Sequence, residues 1–164
     1  MSWDVFIFSS DPRLLSEGAK LPSLGGAGEV RNKISKSLPA VNWKDPAWGV
    51  LEGKGWSIEF NHQTNGVTDC IMLLVRGGGD PVTSIAKLCQ DNGWVALDSS
   101  NGELLNLNAP SSNSWQEFQG YRDHVVASKQ QPLQRPNVSH EHPGLFLSVS
   151  TLVIIFAVYL ARKR

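Results

Sequence analysis

Apolar and polar positions change period several times along this chain, and each change predicts an element. Trp3–Phe8 (WDVFIF) is a short, nearly continuous apolar run that Ser9-Ser10-Asp11-Pro12 stops, as a buried strand gives. Arg13 to Gly28 is rich in Gly, Ser and Pro and reads as loop. From Glu29 to Leu38, Val30, Ile34 and Leu38 recur at i, i+4 and i+8, one stripe of an amphipathic helix that Pro39 ends. Trp48–Glu52 and Trp56–Asn61 alternate as strands, with Trp48/Val50 and Trp56/Ile58/Phe60 assigned to one face. Gly53-Lys54-Gly55 between them is a hairpin turn. After a second turn at Asn65-Gly66, Val67–Arg76 (VTDCIMLLVR) is the longest strand pattern. It is apolar on both faces and expected at the centre of a sheet.

Asp80-Pro81 starts the next helix, since Asp can accept free helix amides and Pro is tolerated in the first turn. Val82, Ile85, Ala86 and Cys89 form its buried stripe, and Asn92-Gly93 closes it. Trp94–Leu97 and Leu104–Leu107 read as a strand pair around the turn at residues 98–102. Ser114-Trp115-Gln116-Glu117 is a capping box opening a last helix to about Ala127, with Trp115, Phe118, Arg122 and Val125 along one side. The order β-α-β-β-β-α-β-β-α predicts an α+β fold: an antiparallel or mixed sheet of about six strands, with three helices largely on one face.

Beyond residue 127 the pattern changes twice. Residues 128–143 carry Pro132, Pro136 and Pro143 among Gln, Asn, Ser and His, a semi-extended tether reaching at most about 50 Å. Gly144 to Ala161 (GLFLSVSTLVIIFAVYLA) then runs eighteen residues without a charge, fourteen of them apolar, before Arg162-Lys163-Arg164. As a helix it is about 27 Å long, enough to cross a bilayer core of about 30 Å. Its β-branched stretch disfavours helix in water, but lipid leaves the backbone no other way to satisfy its polar groups. The division is therefore a head at 1–127, a tether at 128–143, a transmembrane helix at 144–161 and a basic tail at 162–164.

The formal charge of zero hides an asymmetry. Residues 1–126 hold ten Lys/Arg against fourteen Asp/Glu, and residues 127–164 hold five against one. An acidic head argues against nucleic acid as a partner, and a basic tail suits anionic lipid. Met1-Ser2-Trp3-Asp4 places an acid where a secretory n-region would be basic, and no h-region follows. The expected insertion is post-translational, tail-anchored and single-pass, with the head in the cytosol. The three C-terminal basic residues pull the other way by the positive-inside rule. Cys70 and Cys89 lie in apolar-patterned segments and fit a reducing compartment.

Candidate chemistry is sparse. Gly77-Gly78-Gly79 between a strand and a helix start could cradle an anion. The turn lacks the Lys-Ser/Thr of a P-loop, and Asp80 occupies the cap and would repel a phosphate. Cys70 beside Asp69, with His62 upstream, could form a nucleophile-base pair. Strand neighbours point to opposite faces, so at most one of Asp69 and Cys70 shares the side of His62, and a buried cysteine acting as a small hydrophobe competes with that reading. His140-Glu141-His142 lacks a third metal ligand. No residue set points to a catalytic centre, a metal or a cofactor.

The aromatics are more suggestive. Val41–Glu52 (VNWKDPAWGVLE) sets Trp43 and Trp48 around Asp45-Pro46, with Glu52 nearby. Tryptophans beside carboxylates in an exposed turn would anchor a partner with a basic surface. The alternative is that both rings fold back as lids on a small core.

Val75 to Leu107 (VRGGGDPVTSIAKLCQDNGWVALDSSNGELLNL) resembles a pattern in small bacterial α+β proteins. In that pattern a strand, a Gly-rich turn and a D-P helix lead to N-G-W, then to a strand ending in Asp and a Gly-Glu turn. Similar domains occur among the immunity proteins of polymorphic toxin systems, and the likeness covers about a third of the head. The resemblance implies the fold, a core role for Trp94 and a non-catalytic protein that binds a toxin; the membrane anchor is an addition outside that pattern. It transfers no catalytic residue. A small hydrolase using Cys70 and a structural membrane scaffold are the rival classes.

The chain is expected to sediment with membranes and to resist carbonate extraction, while truncation after Ser128 gives a soluble monomer. Protease protection of the head in sealed inside-out vesicles is the result that would overturn a cytosolic head.

Overall fold

The computed structural model describes residues 1–109 and 113–130. Its frame is a six-stranded, wholly antiparallel sheet with three helices. The strands are β1 (Trp3–Phe8), β3 (Asn42–Asp45), β4 (Trp48–Gly53), β5 (Trp56–Asn61), β7 (Ile71–Gly77) and β8 (Val95–Asp98), ordered β3-β4-β5-β7-β1-β8. Two short strands, β2 (Gly25–Gly26) and β6 (Val67–Thr68), pair apart from this sheet.

β7 is central, as its apolar pattern predicts, with β5 on one side and β1 on the other. It is shorter than the run Val67–Arg76. Thr68 turns away to accept the Leu24 amide through its carbonyl at 2.8 Å, so β6 binds the preceding loop and only Ile71 onward joins the sheet. Strand period two then sorts the side chains. Val5 and Ile7 on β1, Ile71, Leu73 and Val75 on β7, and Ile58 and Phe60 on β5 are fully buried on one face. Two helices cover that face: α1 (Ala27–Ser37) through Val30 and Ile34, and α2 (Val82–Asn92) through Val82, Ile85, Leu88 and Cys89. Trp94 and Trp115 complete the core.

The helix ends follow their local chemistry. The Asp80 carboxylate accepts from the Thr83 amide at 3.1 Å and from its hydroxyl at 2.5 Å. Gly93, in the left-handed region, stops α2. α3 (Asn113–Gln130) begins one residue before Ser114 and runs past the boundary expected at Ala127. Its first half is held at one end of the sheet. The Trp115 ring lies 5.5 Å from Trp3 and 5.4 Å from Phe118, and its Nε1 donates to the Gly79 carbonyl at 3.0 Å. Two turns on, Arg122 donates to the Gly77 carbonyl.

Three further details differ from the expectations above. The strand expected at Leu104–Leu107 reduces to one bridge, Leu97 to Leu104, because the Asn106 side chain accepts the Asn108 and Ala109 amides and bends the chain away. Asn42–Asp45, expected as an exposed turn, is an edge strand paired to β4. Trp48 and Val50 lie opposite the face of Trp56, Ile58 and Phe60, since Leu51 is the register partner of Ile58 and Val50 that of Glu59. Among the described residues no helix is long and apolar enough to cross a membrane. The tether from residue 131 onward, the apolar stretch 144–161 and the basic tail lie outside the described residues.

Gly77 joins these parts. It sits at φ +88, and a Cβ there would strike the Gly55 carbonyl and the Trp56 backbone. Gly93, at φ +66 with open space around it, provides the comparison. Gly93→Ala should cost about 1–2 kcal/mol for the left-handed conformation alone. Gly77→Ala should cost at least about 3 kcal/mol, because the hairpin must also shift. Urea unfolding of both variants measures the difference, and equal costs would show that the close approach is relieved without penalty.

Candidate functional site

The residues expected to bind a partner do not form one surface. β3 and β4 share a register in which Trp43 faces Gly49 and Asp45 faces Trp48, with a bulge between Trp43 and Asp45. Trp43 falls on the helix-covered side. Its ring lies 6.4 Å from Phe60 and 5.6 Å from His62, and its Nε1 donates to Ser35 on α1 at 2.8 Å. It is a half-buried lid on the core. Trp48 falls on the other side of the sheet and is 37% exposed, a large apolar ring in contact with solvent.

Asp45 holds the turn between the two strands, its Oδ1 accepting the Ala47 amide at 2.7 Å. Glu52 is exposed two strand repeats from Trp48 and on the same face. Asp45 thus stays beside Trp48, Glu52 lies about 13 Å along the same face, and Trp43 is removed from the set. A period-two pattern has two possible faces, and only the pairing with β5 decided which one Trp48 takes.

The glycine turn is occupied by the protein itself. The Gly78 amide donates to the Gly55 carbonyl at 2.7 Å, and the Gly77 and Gly79 carbonyls accept from Arg122 and Trp115. Asp80 holds the amide of Thr83 at the start of α2. The Gly77 and Gly79 carbonyls receive α3, and the Gly78 amide, a donor that an anion would need, is already given to Gly55.

Cys70 and His62 both line a shallow groove with Ala47, Asn61, Gln63, Thr64 and Met72. Their chemistry is not that of an activated pair. The His62 Nδ1 donates to the Gln63 carbonyl at 2.7 Å. Its Nε2 is buried with no hydrogen-bond partner among the described residues, so no bond to Cys70 forms. Burial first, and the Arg31 charge second, hold the imidazole below its ordinary pKa. Burial, with Asp69 adding to it, pushes the Cys70 thiol up to about 12, and burial does the same for Cys89. A thiol of that pKa carries almost no thiolate at neutral pH, and the thiolate is the nucleophile. The two cysteines are free thiols. Among the described residues no cluster of His, Cys, Asp and Glu could hold a metal ion.

Raised thiol pKa values have a sign in stability. The folded chain holds these protons more tightly than the unfolded chain, whose thiols titrate near their ordinary value of 9.0. The stabilisation is therefore complete below about pH 9 and is lost as the pH climbs toward 12. Melting temperatures measured from about pH 8 to about pH 11 should fall along this limb, and Cys70→Ser should flatten it. Iodoacetamide should label Cys70 about a hundredfold more slowly in the folded chain than in urea. Rapid labelling at neutral pH would instead indicate an activated thiol. No protein-family model, curated protein or solved structure matches this chain.

Proposed function

We propose that the head is a non-catalytic protein-binding module, tethered to a membrane through residues 144–161, and that it acts as an immunity protein neutralising a toxin. The observation that carries the binding role is Trp48, an exposed indole beside the Asp45 carboxylate, with Glu52 further along the same face. An indole supplies a large contact area at little entropic cost, and carboxylates around it steer a basic partner and exclude acidic ones. The raised Cys70 thiol weighs against the hydrolase reading. The uncharged stretch 144–161 and the basic tail support membrane tethering.

The direct test is co-expression. The full chain should restore growth to cells producing the toxin encoded beside it, and failure to protect would remove the immunity reading. Trp48→Ala combined with Asp45→Asn keeps the turn hydrogen bond but removes the ring and the charge. The pair should weaken the complex by about 2–4 kcal/mol, read by calorimetry, with the melting temperature of the free protein unchanged. Normal binding by this variant would place the contact elsewhere.

A further inference from the structure

Trp48 is the end of a longer feature. The register aligns Trp48 with Asn61, Asn61 with Met72, Met72 with Phe6, Phe6 with Leu97, and Leu97 with Leu104. These residues lie opposite the helices, so one rung of side chains crosses the sheet, apolar except at Asn61. At about 4.8 Å per strand it is about 24 Å long. Val50 and Leu74 widen it on one side, Phe8 and Val95 on the other, and every one of these side chains is only half-buried. An antiparallel sheet with a solvated face ordinarily alternates apolar-in and polar-out. Here β1 and β7 are apolar on both faces, while α1 and α2 cover only one. A contiguous apolar patch of this kind marks an interaction surface.

Its charges decide what fits. Asp4 and Glu59 interrupt the Val50–Leu74 rung, Glu52 lies beyond it, and Asp45 closes the end beside Trp48. Against these four carboxylates stand Lys44 and Arg76, and Arg76 is already paired to Glu59 at 3.0 Å. We infer that the whole sheet face left uncovered by the described residues, and not the Trp48 turn alone, is the docking surface, and that its occupant is a protein presenting an apolar ridge bordered by Lys and Arg. This inference rests on the binding-module reading above. A second copy would set carboxylates against carboxylates, and an anionic bilayer would be repelled by the same rim. A basic protein satisfies both the apolar rung and its acidic border.

The test uses the full chain in its host cell, with the photo-cross-linking residue p-benzoylphenylalanine placed at Phe6, at Leu97 or, as a control on the outer side of α1, at Lys36. The expected result is one protein adduct from positions 6 and 97 and none from position 36. The adducted protein should have an isoelectric point above about 9. Its adduct should be lost in Met72→Arg and reduced in the milder Met72→Gln, each with an unchanged melting temperature. Binding of the purified partner should weaken at least about tenfold between low and high salt. Adducts to lipid, to a second copy or to an acidic protein overturn the inference. A protein adduct from position 36 alone overturns this face while leaving the binding module standing, and no adduct from any position overturns both.

Discussion

The pairing of β7 on both of its edges is the constraint from which the rest of the head follows. A strand in that position has no backbone group left for water, so its side chains can only go up or down, and Ile71, Leu73 and Val75 go to the side that α1 and α2 seal. β1 and β5 inherit this division through their registers with β7. Slipping either by one residue would bring Phe6 or Glu59 into the core. Val30, Ile34, Ile85 and Leu88 then need no specific partner beyond an apolar sheet at the right distance.

The same constraint produces the second face. Because β7 and β1 are apolar at successive positions, the outward side chains Met72, Leu74, Phe6 and Phe8 remain on the surface once the inward ones are satisfied. Folding does not require them, since the core is complete on the other side. Their cost is hydrophobic area left in water, which a bound partner would recover. The carboxylates at Asp4, Glu52 and Glu59 lie on that face and not on the covered one, so the surface that stays exposed also carries charge of one predominant sign.

α3 depends on a different interaction. Its contact with the sheet is narrow: the Trp115 ring against Trp3, and donors from Trp115 and Arg122 to the carbonyls of Gly79 and Gly77. Those carbonyls face the helix because Gly77 and Gly79 adopt positive φ, which few other residues could do there. From Tyr121 onward the described helix is largely exposed, Val126 included. The glycine run is therefore the receptor for the helix that leads out of the head.

Much of the architecture was legible in the sequence. The strands at Trp3–Phe8 and Trp56–Asn61, the stripe Val30–Ile34, the Asp80 cap, the Gly93 stop and the side Trp115-Phe118-Arg122-Val125 all follow from local spacing and cap chemistry, which act over a few residues. Three matters needed tertiary contacts. Whether Trp48 faces core or solvent depends on its register with β5, because a period-two pattern does not name its own inner face. Trp43 became a lid because Ser35 and Phe60, distant in sequence, offered a hydrogen bond and a ring to pack on. Cys70 and His62 lie near enough in sequence to suggest a pair, but burial, a property of the assembled fold, raised the thiol and left the imidazole bonded elsewhere. The sequence by itself determined most of the elements and the acidic character of the head, since these are set by local periodicity and by counting charges; the β3 edge strand, the β2–β6 pair and the loop in place of a strand at Leu104–Leu107 came from tertiary pairing. Only the tertiary structure decided which apolar residues are core and which are surface, because that follows from strand pairing and not from any residue's own nature.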